Sequence, residues 1–288
     1  MSIRTLDEII AEAETQKVSI STIIKIIESK ELETSVENLT KKMKEYFQVM
    51  KESAQKGIER PISSLSGITG GEGYRLWKAS ENAISDNVTL KAAARAMAVS
   101  NVNASMGRIV ASPTAGSCGI IPGVLISVAE KLGKSDDQIT DVLFTAGAVG
   151  KIIAMNATLA GAEGGCQAEC GSAVAMAAAA TVELSGGTPR QVGHAVAIAL
   201  KSLMGLVCDP VAGLVEVPCI KRNGMGAVQA IMAADMALAG IESIIPADEV
   251  IKAMGEVGRM MPEQLRETAT GGLATTPTGK RIKRELFG

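Results

Sequence analysis

The chain has 288 residues, enough for one large or two ordinary domains around a sizeable core. Its Lys and Arg number 29 and its Asp and Glu 31, a net charge of −2, and aromatics make up 2% of the residues. That balance excludes a nucleic-acid binder, which needs a basic face and stacking aromatics.

With 47% hydrophobic residues but only Trp77, two Tyr and three Phe, the core must be built from Ala, Val, Ile, Leu and Met. Together with 30 Gly, this favours helices whose small faces let backbones approach closely. Membrane helices share that habit. The charge-free apolar stretch of note, Cys170 to Val182 between Glu169 and Glu183, is too short to span a bilayer. The opening Met1-Ser2-Ile3-Arg4-Thr5-Leu6-Asp7-Glu8 turns acidic at once, unlike a signal peptide. The expectation is a cytoplasmic protein. Five cysteines, an odd number without a secretion signal, argue against a disulfide framework and leave packing residues or ligands.

The pattern is helical nearly throughout. Thr5 and Glu8 form a capping box ahead of Leu6, Ile9, Ile10 and Ala13 at helical spacing. Ser35 opens a longer segment with Val36, Leu39, Met43 and Met50 on one stripe and Lys41, Lys42, Lys44 and Glu45 opposite. Residues 1–60 read as a solvated amphipathic segment of the same domain. A break follows from Pro61 to Gly67, with Gly70-Gly71 just beyond, and residues 61–288 then form the core. Helices are predicted over 87–106, 121–132, 137–154, 170–184, 189–206, 224–240 and 247–260. Thr188, Pro189 and Gln191 mark the start at 189 well. Residues 213–217 could be extended. There is no βαβ spacing, so the expected fold is all-α: one compact helical catalytic domain with Gly-rich loops between its helices.

The chemistry is concentrated in those loops, which are costly to order and therefore tend to carry function. Cys166 ends a Gly-rich turn before a helix, Cys208 is expected to end a helix because Pro210 stops it, and Cys219 follows Pro218. All three sit at element ends where thiolates can converge. Cys170, one turn past Cys166, reads as a packing residue, and Cys118 can go either way. Spacing alone leaves a metal cluster and buried thiols equally open.

The loop Ser112-Pro113-Thr114-Ala115-Gly116-Ser117-Cys118-Gly119 offers three hydroxyls and Gly-exposed backbone N–H groups before a helix start. It suits a small carboxylate or is an ordinary capped loop. Without a G-K-[ST] ending it is no phosphate loop. His194, the one histidine, reads as structural, so neither a Ser–His–Asp triad nor a His-rich zinc site is available. Lys221, Arg222 and Lys280 either hold a carboxylate or cap helices.

Three segments, Gly161–Gly171, Leu206–Asn223 and Gly271–Lys280, resemble the signature of the iron–sulfur L-serine dehydratase α chain, and Ser66–Gly71 resembles its opening motif. The similarity covers essentially the whole chain and is most specific from Cys208-Asp209-Pro210 to Pro218-Cys219. It implies a [4Fe–4S] cluster on Cys166, Cys208 and Cys219, with Cys118 and Cys170 outside the ligand set. Some single-chain relatives end in a cysteine that reaches the cluster. This sequence ends Leu286-Phe287-Gly288, which implies an iron left open to substrate or water.

The resemblance further implies Lewis-acid elimination of water from L-serine, with Ser112, Thr114, Ala115 and Gly116 binding the substrate. Lys151 and Asn156 are further catalytic candidates beside Ser112 and Thr114. No residue of the chain stands out as the general base, and the resemblance assigns that group to a separate β chain. Rival readings are a pyridoxal-phosphate dehydratase, which the helical pattern disfavours, a cluster lyase acting on threonine or cysteine, and a helical scaffold without a cluster.

Overall fold

The computed structural model describes residues 4–288, the side chain of Glu81 excepted; Met1-Ser2-Ile3 of the acidic N-terminus lie outside the described residues. Among the described residues there are 13 α-helices and no β-strand, so the chain is all-α. Three N-terminal helices, α1 (Leu6–Gln16), α2 (Ile20–Glu31) and α3 (Val36–Glu59), lead to a short α4 (Glu72–Lys78) and a longer α5 (Asn87–Ala104). The middle of the chain forms α6 (Ile120–Leu132), α7 (Asp136–Asn156), the single turn α8 (Gly161–Gly164) and α9 (Ser172–Leu184). Then come α10 (Pro189–Leu203), α11 (Cys219–Leu238), α12 (Ala247–Met260) and α13 (Pro277–Phe287).

The near absence of aromatics sets how these helices pack. Every residue of α9 except Glu183 is buried, and six of its 13 positions are alanine, so α6, α7, α10 and α11 all pack against it. Small side chains on every face let one helix serve four neighbours. Close approach is clearest between α5 and α6. A Cβ added at Gly123 would stand 2.6 Å from the Ala92 carbonyl oxygen. Two segments, Ala115–Leu132 and Asp136–Asn156, are long and apolar enough by composition to cross a membrane, yet each is 67% buried inside the fold. Their apolar side chains are already packed against other helices.

The N-terminal helices share this core: Leu6, Ile9, Ile20 and Ile23 belong to the same buried cluster as α9. Polar groups fix their docking. Asp248 in the first turn of α12 accepts from the Leu6 and Asp7 N–H groups at 2.9 and 3.0 Å, satisfying the first amides of α1. Glu183 accepts from the Ser21 N–H of α2 at 3.3 Å and from the Thr145 hydroxyl of α7 at 2.7 Å.

The predicted boundaries hold within a few residues for α5, α6, α7, α9, α10 and α12. Four features differ. Helix α11 begins at Cys219, five residues before the expected start, because the glycines at 224 and 226 are places of close packing rather than breaks. Cys208 does not end a helix: α10 stops at Leu203, and Cys208 lies on an extended piece paired with Leu265–Glu267. Residues 213–217 form turns instead of a strand. Pro277–Lys280, read as loop, opens α13 with Thr276 as its N-cap.

Replacing Asp248 by Ala strips the first turn of α1 of two acceptors and should cost about 1–3 kcal/mol. A lowered unfolding midpoint, with faster amide exchange at Leu6 and Asp7, is the expected result. Unchanged exchange there would contradict this account of α1 docking.

Candidate metal centre

Four of the five thiols converge. Cys166 follows Gly165, whose φ of +72° and the proximity of Met261 and the Leu206 carbonyl to any added Cβ leave room for glycine alone. A single π-helical turn, Gln167–Gly171, then joins it to α9 and carries Cys170. Such turns often sit at functional sites because they re-aim side chains. The Cys166 and Cys170 sulfurs are 3.4 Å apart. Cys208 is held from the other side: its N–H donates to the Leu265 carbonyl and its own carbonyl accepts from the Glu267 N–H, both at 2.8 Å. Cys219 is the first residue of α11, behind a cis Val217–Pro218 peptide. Cys166, Cys170 and Cys208 are buried and Cys219 is half-buried.

Their ionisation is coupled. Sulfhydryl donation from Cys170 and Cys208, helped by the nearby Arg222 guanidinium, holds the Cys166 thiol well below its usual value. The donors pay the converse electrostatic penalty, and Cys170 and Cys208 are both pushed up by their bond to Cys166 and by burial. Burial raises Cys219 to about 12. Burial and the bonds to Cys166 thus oppose ionisation of Cys170 and Cys208, and burial opposes that of Cys219. Soft sulfur donors that need positive charge to ionise together are the donor set of a thiolate-bound metal.

The first turn of α11 joins the thiols to the hydroxyl loop. Asn223, fully buried, donates to the Gly116 carbonyl at 2.7 Å and accepts from the Gly119 N–H at 2.9 Å. That pins residues 112–119, whose Ala115–Ser117 form a short 3-10 turn, beside Cys219. Ser112 is buried, its hydroxyl 3.5 Å from the Cys118 carbonyl. The Thr114 hydroxyl donates to Glu169 at 2.7 Å and lies 3.3 Å from the Ser117 hydroxyl.

Glu169 is the polar residue that sequence reading passed over. Its carboxylate accepts from Thr114, meets the Cys208 sulfhydryl at 3.8 Å, and with Cys208 and Glu267 brings three ligand atoms within 4.8 Å of one another. Burial raises its pKa to about 7. Its only signal was a charge inside the otherwise apolar run from Cys166 to Val182.

The comparisons with known proteins agree with this geometry. Residues 15–274 match the family model described as serine dehydratase alpha chain. A probable L-serine dehydratase, alpha chain, of Bacillus subtilis is 50% identical over 99% of this chain and 95% of its own length. The L-serine dehydratase, alpha chain, of Peptoniphilus asaccharolyticus is 45% identical over 99% and 98%. The chain belongs to the serine dehydratase alpha chain family. Longer family relatives exist: an L-serine dehydratase of Streptomyces coelicolor is 49% identical over 62% of this chain but only 40% of its own length.

Against the family expectation, the structure brings Cys166, Cys208, Cys219, Ser112, Thr114, Ala115 and Gly116 to one region and adds Cys170 and Glu169. It leaves two candidates outside. Lys151 pairs with Glu31 of α2 at 2.7 Å, and the Asn156 amide donates to the Arg4 and Ile152 carbonyls, both at 2.9 Å. Both bond where α7 meets the N-terminal segment. Lys221 pairs with Glu72 at 2.7 Å, and Lys280 is exposed on α13. His194 accepts from the Ser243 N–H at 3.2 Å, a structural role. Cys118 packs with Ala54 and Val99 away from the other sulfurs, and burial pushes it to about 12.

In metal-free native protein, the fully buried Cys118, pushed up to about 12, should stay unmodified by iodoacetamide until the chain unfolds, as read by peptide mass spectrometry. Early labelling of Cys118 would contradict the separation of the two groups.

Proposed function

We propose that this chain is the catalytic subunit of an iron–sulfur L-serine dehydratase, which converts L-serine to pyruvate and ammonia. The observation that carries the reading is the meeting of Cys166, Cys208 and Cys219, from three separate segments, beside the pinned hydroxyl loop. Cys166, Cys208 and Cys219 would hold a [4Fe–4S] cluster. Bound there, it would supply Lewis acidity toward the substrate hydroxyl, whose departure as hydroxide is otherwise slow.

The protein's own groups bind and orient serine. The Ser112 hydroxyl and backbone N–H groups of the Ala115–Ser117 turn receive the carboxylate, with Gly116 leaving the approach open and Thr114 holding Glu169 beside it. Glu169, fixed by Thr114, presents negative charge to the substrate ammonium. The reaction removes the β-hydroxyl and the α-proton as water. The enamine so formed tautomerises to an imine and hydrolyses to pyruvate and ammonia. The α-proton requires a base within hydrogen-bond reach. His194 accepts from Ser243 at Nδ1, and the family resemblance assigns the base to a partner β chain. The alpha-chain names of the two relatives support such a partner. A cytoplasmic setting suits both the reduced thiols and the small-molecule reaction.

Cys170 supports a second reading. Its sulfur, 3.4 Å from that of Cys166, can complete a four-thiolate structural site with no open position. Anaerobic reconstitution of the Ser variants separates the two. Cys166→Ser, Cys208→Ser and Cys219→Ser should each lose most iron, while Cys170→Ser should keep both iron and activity. Iron loss from Cys170→Ser would favour the structural site.

Two further outcomes are expected. The isolated chain should bind iron yet turn over serine only when the β chain is added, and full activity without it would overturn the assignment of the base. Thr114→Val should raise KM for serine roughly 10- to 100-fold, the cost of a lost hydrogen bond to a charged group. A fall in kcat alone would place Thr114 in a different step.

A further inference from the structure

Arg222 stands one helical turn after Cys219, and its side chain is 17% exposed. One guanidinium nitrogen donates to the Val207 carbonyl at 2.8 Å and the other to the Asp209 carboxylate at 2.9 Å. Those two acceptors are the residues on either side of Cys208. The same guanidinium faces the Cys166 sulfur. One planar cation thus faces the Cys166 sulfur, grips both neighbours of Cys208 and stands one turn from Cys219. Asp209 is in turn held from behind, where its second oxygen accepts from the Leu273 N–H at 2.8 Å.

We infer that Arg222 is the positioning residue of the three-cysteine centre, a cationic clamp that gathers the Cys166, Cys208 and Cys219 segments and offsets the negative charge of their thiolates. The inference rests on the proposed cluster. Its basis is geometric. The 208 segment is extended; its backbone pairs with residues 265–267 on one side and accepts from the Gln167 N–H at Leu206, and Arg222 ties it to α11. A bidentate fork reaching both peptide flanks supplies that tie, and a lysine could reach only one of them.

The charge matters equally. Three thiolates brought into a largely buried pocket repel one another, and Lys221 next door is drawn off to Glu72. Among the groups facing the sulfurs are the carboxyl groups of Glu169 and Glu267, and the Arg222 guanidinium is the basic group that faces them. Removing it leaves the thiolates and two carboxylates without a close counter-charge. Groups around a metal's ligands commonly change metal affinity 10- to 100-fold, and hydrogen bonds and charge near the sulfurs set the potential of an iron–sulfur cluster.

The test uses the full chain reconstituted anaerobically as wild type, Arg222→Met, Arg222→Lys and Lys221→Met. Chelator-driven iron release should be roughly 10- to 100-fold faster for Arg222→Met than for wild type and intermediate for Arg222→Lys. Lys221→Met should release at the wild-type rate. The midpoint potential of the cluster in Arg222→Met should move to more negative values, because a nearby positive charge has gone. A merely structural arginine would change the unfolding midpoint of the metal-free protein without moving that potential.

Wild-type release and potential in Arg222→Met would overturn the inference, as would a Lys221→Met variant equally depleted of iron. If Arg222→Met does not fold, the release rate of Arg222→Lys decides, and a rate equal to wild type overturns it. If the wild-type chain itself takes up no iron, the cluster reading and this inference fall together. Normal loading of wild type with unaffected Arg222 variants removes this inference alone.

Discussion

Everything at the centre depends on the opening turn of α11. Within five residues it supplies Cys219, the Arg222 guanidinium that reaches the flanks of Cys208, and the Asn223 amide that holds the 112–119 loop. A helix start is stiff, so side chains three and four positions apart keep fixed relative directions. Three flexible, Gly-rich connections are therefore indexed against one rigid element. Asn223 closes the arrangement by also bonding the Cys219 carbonyl at 2.9 Å, which ties the loop contact to the helix turn itself.

The electrostatics follow from that placement. Sulfurs gathered in a pocket shielded from water oppose one another's ionisation, and sulfhydryl donation from Cys170 and Cys208 lowers the pKa of Cys166. Further ionisation requires cations, one of which is Arg222 and the rest of which a metal would bring. Metal affinity and protonation are thus linked: loading must release protons, and acid must oppose it. The carboxylate of Glu169 lies on the same boundary, between the hydroxyl loop and the Cys208 thiol.

Much of this was readable from the sequence, and for identifiable reasons. Helix starts with a hydroxyl cap and a Glu or Gln three residues on, at Thr5 and Thr188, were found because capping chemistry is local. The all-α architecture was legible in the missing β periodicity. The placement of Cys166, Cys208 and Cys219 at element ends left their convergence open, and the family resemblance favoured it, since the contact of Cys166 with Cys208 spans 42 positions and leaves no local trace. Cys208 was misplaced because Pro210 stops a helix as well as it starts a turn. Cys170 was set aside as an Ala-helix packing residue, and the π-helical turn that swings its sulfur toward Cys166 has no sequence marker. Lys151 and Asn156 looked catalytic beside Gly-rich sequence, while their partners, Glu31 and the Arg4 carbonyl, lie more than 100 positions away in the chain.

The central claim is that three cysteine sulfurs hold an inorganic cluster and leave one metal position to the substrate. Mössbauer spectra of anaerobically reconstituted, iron-57-labelled protein with and without L-serine address it directly. Roughly one iron in four should have its own environment and change when serine is added, while the other three stay as they were. Four equivalent irons indifferent to serine, or no bound iron at all, would contradict it.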